Sequence, residues 1–184
     1  MNAQIDISNV VLKTKRLILR PFELSDLDDF YEYASVDGVG EMAGWCHHKN
    51  KEESLEILNK FINDKRTFAI VFNNKVIGSL GIEKYNDNFL KEFDNLKVRQ
   101  IGYVLSKDYW GLGIMPEAVN EVIKYLFNDV NLDLILCGHF DFNTQSRRVQ
   151  EKCGFIHYKH EDSFKDHNGN KVPGWISILY KKRL

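Results

Sequence analysis

Residues 101–127 constrain the fold of this chain more than any other stretch, because they join a strand, a glycine turn and a helix. Their sequence is IGYVLSKDYWGLGIMPEAVNEVIKYLF, and it begins with an apolar run whose aromatic and β-branched residues predict a strand. The turn at residues 110–113 contains two glycines, and Pro116 follows it. From Ala118 to Val130 the apolar residues recur at helical spacing, which predicts a helix with one buried face.

A glycine turn that leads into a helix can bind an anion. The first N–H groups of a helix lack acceptors within the helix, and its dipole adds partial positive charge, so phosphate is a typical ligand. Gly111 and Gly113 alone do not establish such a site, because tight strand-to-helix connections also use two glycines. The turn matches neither the three-glycine dinucleotide fingerprint nor the P-loop. Since Leu112, Ile114 and Met115 are apolar, phosphate contacts here must come from backbone N–H groups.

Length and composition fit one domain with a substantial core. The chain has 184 residues, of which 43% are hydrophobic and 28% charged. Its net charge of −1 gives no electrostatic footprint for nucleic acid or an anionic membrane, so we expect neither as a partner. The sequence shows no signal peptide and no apolar stretch of membrane-spanning length, which predicts a cytoplasmic protein. The three cysteines lack metal-ligand spacing and fit a reducing compartment.

Helical and strand patterns alternate along the rest of the chain. Strands are expected at residues 15–22, 67–72, 75–83, 134–140, 155–164 and 172–180, and helices at residues 25–34, 52–63 and 143–152. Hairpins and strand–helix–strand crossovers both occur in this order, which predicts a mixed sheet. We therefore expect a single α/β domain over residues 1–184, with a core at about residues 14–180.

Two motifs together resemble those of the Gcn5-related N-acetyltransferase (GNAT) superfamily. The first is YWGLG at residues 109–113, followed by Glu117 and Ala118; the second is NTQS at residues 143–146, continued by EKCGF at residues 151–155. Within the superfamily the chain looks like the RimJ/RimL-like branch of ribosomal-protein alanine N-acetyltransferases. The resemblance covers nearly the whole chain, and its motifs are specific for the superfamily rather than for a substrate.

The resemblance implies a mixed α/β fold whose central sheet splays open between its fourth and fifth strands, with helices on both faces. Those strands would be residues 100–106 and residues 134–140, and acetyl-CoA would lie in the gap. Backbone groups of the fourth strand would pair with the pantetheine arm, and the backbone of residues 110–115 would wrap the pyrophosphate. The cofactor-binding residues so implied are Val104, Leu105, Trp110, Gly111, Leu112, Gly113, Ile114, Met115, Asn143 and Ser146. Arg147 and Arg148 either reach the ribose phosphate or are solvated.

The implied reaction is direct attack of an amine on the thioester in a ternary complex. An α-amine titrates near 7.7–8.0 and a lysine near 10.4, so an α-amine needs little help from a base at neutral pH. A tyrosine often serves as general acid elsewhere in the superfamily, but its position here is Gln150, and the resemblance transfers this role to Ser146. Ser146 is alternatively a first-turn helix residue behind an Asn143 cap. Glu83 is the best candidate base, with a solvated strand-end charge as the alternative.

The acceptor is less constrained than the cofactor. Trp45, His47 and His48 lie in a loop that the resemblance places at the acceptor cleft, so we predict that they bind substrate, with a plain surface loop as the alternative. Two adjacent histidines without further ligand spacing predict no metal. His139 faces either the cleft or the core. The acceptor is a protein N-terminus or a small molecule such as a polyamine, amino acid or antibiotic, unless the chain is a non-catalytic acyl-CoA-binding module. The oligomeric state stays open, with a homodimer as one alternative.

Overall fold

The computed structural model describes residues 1–86 and 90–181 of the chain. Its strands, in chain order, are β1 (Leu12–Lys13), β2 (Leu17–Pro21), β3 (Thr67–Phe72), β4 (Lys75–Glu83), β5 (Val98–Leu105), β6 (Leu134–Phe140), β7 (Ile156–Lys165) and β8 (Lys171–Tyr180). The α-helices in the described part of the chain are α1 (Leu27–Ala34), α2 (Lys51–Asp64), α3 (Ile114–Asn128) and α4 (Thr144–Lys152). The strands form one sheet in the order β1-β2-β3-β4-β5-β6-β8-β7, with both parallel and antiparallel neighbours. This is the mixed α/β fold that the sequence predicts.

The local predictions hold wherever a residue's own backbone preference decides the structure. Asn73 and Asn74 connect β3 to β4 with φ angles of 49° and 64°, the two-residue hairpin turn that asparagine favours. Gly154 follows α4 with a φ of 86°, as expected of a glycine that ends a helix. The start of α1 differs from the prediction. Residues 24–26 form a separate 3₁₀ turn, because the carboxylate of Asp26 binds Arg20 at 2.7 Å and 2.8 Å and accepts the Glu23 N–H.

Helices cover both faces of the sheet. Alternate residues of β3 enter two different cores: Phe68 and Ile70 pack with α3, whereas Ala69 packs with α1 and α2. The larger core contains the apolar face of α3 that the sequence predicts. None of the described helices is long and apolar enough to cross a membrane.

The sheet opens between its two central strands. β5 and β6 run parallel and pair only as far as Ile101 and Cys137, although β5 continues to Leu105 and β6 to Phe140. Beyond that point β5 stays paired with β4, and β6 stays paired with β8. Each strand is therefore held by its outer neighbour while the inner pairing ends, which produces the expected splay. These strands are fifth and sixth by count because the short β1 begins the sheet.

Candidate functional site

A cavity of about 330 Å³ lies at the splayed end of β5, between α3 and α4. This volume is within the range of small-molecule and cofactor sites. The structure brings nine of the ten predicted cofactor residues to its wall: Val104, Leu105, Trp110, Gly111, Gly113, Ile114, Met115, Asn143 and Ser146. Leu112 is the exception, because its side chain is exposed and its carbonyl accepts a hydrogen bond from Arg16 Nη1 at 3.0 Å.

The turn before α3 adopts the conformation that its glycines allow. Gly111 and Gly113 have φ angles of 77° and 72°, which other residues reach only with strain. Gly113 is the N-cap, so the helix begins at Ile114 and Pro116 lies within its first turn. The first-turn N–H groups therefore lie at the cavity wall, where helix geometry leaves them free to bind an anion. The carboxylate of Glu117 is engaged elsewhere, bonded to Arg16 and Thr14, as expected for a structural residue.

Basic side chains of α4 lie beside this helix start. Arg148 and Lys152 line the same cavity. Arg147 instead forms an exposed ion pair with Glu151 at 2.8 Å. Of the two adjacent arginines, Arg148 is thus the one placed near an anion in the cavity.

Ser146 lies in a chain of hydrogen bonds that connects β5, α4 and β6. The hydroxyl of Tyr103 on β5 is 3.0 Å from Ser146 Oγ and 3.2 Å from the Ser146 carbonyl oxygen. Gln150, one turn further along α4, donates from Nε2 to Ser146 Oγ at 3.3 Å and to the Gly138 carbonyl at 3.1 Å. Its Oε1 lies 3.0 Å from Nδ1 of His139 on β6. The chain of contacts places Ser146 between the two splayed strands.

The ionisable side chains in this series of hydrogen bonds, Tyr103 and His139, are neutral at physiological pH. Burial raises the pKa of the Tyr103 hydroxyl well above its usual range, and burial lowers the pKa of His139. The neighbouring thiol of Cys137 has its pKa raised by burial to about 12. Sequence reasoning did not select Tyr103. In the sequence, the only indication of a role for Tyr103 is that it shares one face of the predicted strand with Ile101 and Leu105.

Asn143 caps α4 and also fixes a distant loop. Its Oδ1 accepts the Ser146 N–H at 3.0 Å, which is an N-cap bond. Its Nδ2 donates to the carbonyl oxygen of Met42 at 2.9 Å. Met42 lies 101 residues earlier, in the connection between α1 and α2. Asn143 therefore joins the start of α4 to a loop that lines the cavity.

A second cavity of about 240 Å³ adjoins the first at Ser146. The two cavities share Met42, Ala43, Tyr103 and Ser146. The rest of the second cavity is mainly apolar or uncharged, lined by Gln100, Ile101, Gly102, Cys137, Gly138, His139, Phe140, Phe164 and Lys165. Ligands that occupied the two cavities would meet beside the Ser146 hydroxyl.

Trp45, His47 and His48 lie outside the walls of both cavities, although their loop contributes Met42 and Ala43 to them. The loop folds back on α1 and α2. Trp45 packs against His48 with ring centroids 5.1 Å apart, and buried His48 also bonds to Ser54 Oγ at 2.7 Å. The neighbouring part of this loop reaches the cavities, but the structure does not bring these three side chains to the cavity walls.

Glu83 also lies outside both cavities, at the end of β4. Its carboxylate pairs with Arg66 Nε at 3.2 Å and is half-exposed. The contact with Arg66 accounts for an acid at this position without catalysis. The structure therefore does not place the predicted base within direct reach of Ser146.

Asp37, Glu41 and His47 are close enough to share a metal ion, with candidate ligand atoms within 4.8 Å of one another. The oxygens of Glu41, however, already accept hydrogen bonds from the Gly38 N–H, the His47 N–H and His47 Nδ1. Burial by itself would raise the pKa of Glu41, but these hydrogen bonds lower it to about 2. Glu41 thereby organises the loop that carries Met42.

The sequence and the fold both match known acetyltransferases. A sequence model of the acetyltransferase (GNAT) domain family matches residues 16–156. A relative from Bacillus subtilis (strain 168), named "Probable N-acetyltransferase YjcK", is 31% identical over 160 residues, which cover 79% of this chain and 83% of the relative.

Two solved structures extend the comparison at lower identity. The ribosomal-protein-S5-alanine acetyltransferase from Vibrio fischeri is similar with a TM-score of 0.70 at 21% identity, covering 94% of this chain and 97% of that chain. The microcin C7 self immunity acetyltransferase MccE, solved in complex with acetyl-CoA and AMP, is similar with a TM-score of 0.75 at 17% identity, covering 91% of this chain and 94% of that chain. At these identities the likeness shows a shared fold.

Proposed function

Because the chain belongs to the GNAT family of acetyltransferases, we propose that it transfers acetyl from acetyl-CoA to a primary amine, with acetyl-CoA in the first cavity and the amine in the second. One observation carries this proposal. Nine predicted cofactor residues, which come from the expected fourth strand, the turn into the following helix and the Asn143 motif about 30 residues later, line one cavity, and that cavity meets the second at Ser146. The MccE structure with acetyl-CoA supports the choice of cosubstrate.

The first cavity has the parts that acetyl-CoA requires. Its pyrophosphate would bind the free N–H groups at the start of α3, with Arg148 supplying positive charge. Its pantetheine arm would lie along the end of β5, where pairing with β6 has stopped after Ile101. The thioester would then lie near Ser146, at the junction of the cavities.

The chemistry needs one nucleophile and one proton donor. The neutral amine attacks the thioester carbonyl, and a backbone N–H near Val104 stabilises the oxyanion that forms. Collapse of this intermediate breaks the carbon–sulfur bond, and the departing thiolate takes a proton from the Ser146 hydroxyl. Ser146 is reprotonated from solvent, and the proton lost by the attacking nitrogen also passes to water. Glu83 has no role in this scheme, because an α-amine is already partly neutral near pH 7.

The described walls of the second cavity disfavour a polyamine. They contain no aspartate or glutamate, whereas a polycationic acceptor needs several carboxylates. Two acids outside this cavity are engaged with other groups: Glu32 pairs with Lys75 at 2.5 Å, and Glu53 accepts the Lys49 N–H. A protein N-terminus presents one amine. The Vibrio fischeri acetyltransferase, named for alanine of ribosomal protein S5, supports this acceptor class and the RimJ/RimL-like branch.

A small-molecule monoamine is the second candidate acceptor. The second cavity is compact, at about 240 Å³, and Phe140 and Phe164 give it an apolar wall that suits a single ring or short alkyl chain. A cytoplasmic location stays a prediction from the sequence, and the oligomeric state stays open.

Binding and turnover test the proposal separately. Calorimetric titration with acetyl-CoA is expected to show one site, and absence of binding would refute the assignment of the first cavity. Free-thiol detection over a panel of N-terminal peptides, aromatic monoamines and spermidine then ranks the acceptors. Binding without thiol release for any amine would favour the non-catalytic alternative.

Ser146→Ala is expected to lower kcat roughly 10- to 100-fold, the value of one hydrogen bond to a charged group. Acetyl-CoA affinity should stay nearly unchanged, because the pyrophosphate contacts lie on α3. Unchanged turnover would return Ser146 to a purely structural role in the first turn of α4.

A further inference from the structure

Gln150 is a polar residue buried beside the proposed proton donor, and its amide is hydrogen-bonded on both the nitrogen and the oxygen. Its side chain is 1% exposed, yet it contacts Ser146, Gly138 and His139. On the proposed function given above, we propose that Gln150 is a positioning residue that directs the Ser146 hydroxyl proton toward the departing thiolate.

The contacts of Gln150 determine the orientation of its amide. The carbonyl oxygen of Gly138 can only accept a hydrogen bond, so the atom 3.1 Å from it must be the amide nitrogen. Oε1 must then face Nδ1 of His139, which donates the hydrogen of that bond. The second hydrogen of the amide nitrogen is left to point at Ser146 Oγ, 3.3 Å away.

This orientation determines what the Ser146 hydroxyl can do. Gln150 occupies one lone pair of Ser146 Oγ as donor. The Tyr103 hydroxyl can donate its own hydrogen to the Ser146 carbonyl, 3.2 Å away, which leaves the phenol oxygen as an acceptor for Ser146. When the Tyr103 hydrogen lies on the Ser146 carbonyl or on the neighbouring Cys137 sulfur, the serine hydrogen is the one left to donate, to Tyr103 in the free protein and to sulfur when a thiolate forms. No proton passes through the amide, which only orients the hydroxyl.

The same contacts specify the tautomer of His139. A donor at Nδ1 requires a hydrogen on that nitrogen, and because burial lowers the pKa of His139 and keeps the imidazole neutral, Nδ1 is then the only protonated ring nitrogen. This gives a spectroscopic prediction that is independent of turnover: nitrogen NMR of the wild-type protein should show His139 as the Nδ1–H tautomer.

A double-mutant cycle with Ser146→Ala distinguishes positioning from simple packing. We expect Gln150→Leu to lower kcat about fivefold or more while the Kd for acetyl-CoA changes less than about threefold. In the Ser146→Ala background the same substitution should change kcat less than about twofold, because there is no hydroxyl left to orient. Equal losses in both backgrounds would overturn the proposal, as would an unchanged kcat.

Two further variants keep the test decisive. Gln150→Met keeps the unbranched shape of the side chain but removes the donor without burying a charge, so it should reproduce the loss of kcat even if Gln150→Leu does not fold. Ser54→Ala removes a buried serine–histidine hydrogen bond between two residues that line neither cavity and controls for loss of stability; its kcat should equal that of wild type. Failure of the wild-type protein to bind acetyl-CoA would refute the proposed function instead, and is measured separately.

Discussion

Substitutions at Asn143 can separate the stability of α4 from the assembly of the cavities, because its side-chain oxygen and nitrogen bond to different parts of the protein. Oδ1 caps the helix through the Ser146 N–H, and Nδ2 holds the carbonyl of Met42. Asn143→Asp keeps an oxygen for the cap and removes the donor to Met42. Asn143→Ala removes both. The pair of variants therefore isolates the bond to the loop.

The magnitudes follow from the two contacts. Loss of an N-cap costs about 0.5–2 kcal/mol, and loss of one net hydrogen bond costs about 0.5–1.5 kcal/mol. Asn143→Ala should thus reduce the free energy of unfolding by about 1–3.5 kcal/mol. In Asn143→Asp the carboxylate gains about 0.3–1 kcal/mol from the helix dipole, which offsets the lost bond and leaves stability within about 1 kcal/mol of wild type.

Unlike stability, the affinity for acetyl-CoA should fall in both variants. Both variants free Met42 from α4, so both should raise the Kd for acetyl-CoA by about 2- to 12-fold, the equivalent of one lost hydrogen bond. Urea unfolding measures the first quantity and calorimetric titration the second. Wild-type affinity in Asn143→Asp would refute the role of the Met42 bond. Equal destabilisation of both variants would refute the capping argument.

Three other predictions test the turn, the excluded base and the loop acid. Gly113→Ala should cost roughly 1–2 kcal/mol of stability, because this position has a positive φ, and should also raise the Kd for acetyl-CoA. The control Gly169→Ala, at a φ of 80° in the β7–β8 turn, should lose similar stability in urea unfolding but keep the calorimetric affinity of wild type. Glu83→Gln should leave the pH profile of kcat unchanged; a tenfold loss with a shifted profile would restore Glu83 as the base. The pKa of Glu41 is lowered from 4.5 to about 2 in the folded protein, so its stabilisation is complete above pH 4.5 and is lost as the pH falls toward 2. Urea unfolding of Glu41→Gln over this range should show a weaker pH dependence than wild type, and an identical dependence would contradict the assignment.

The sequence by itself determined the parts of this protein that depend on local interactions. Gly111 and Gly113 can adopt left-handed backbone conformations because they lack a β-carbon, and the turn before α3 needs that freedom at both positions. The Asn143 cap is a contact between residues three positions apart. The predicted cofactor residues come from a few short segments, so the resemblance could assign nearly all of them to one cavity.

Only the tertiary structure decided which side chains surround the reacting centre. Tyr103 and Ser146 are 43 residues apart, and they meet because β5 and α4 pack across the splay. His48 became a buried partner of Ser54 because its loop folds back on α2, and Glu83 pairs with Arg66 and lines neither cavity. Such contacts depend on which way each side chain leaves its strand or helix, and on which distant residue fills the space there. Spacing along the chain carries neither kind of information.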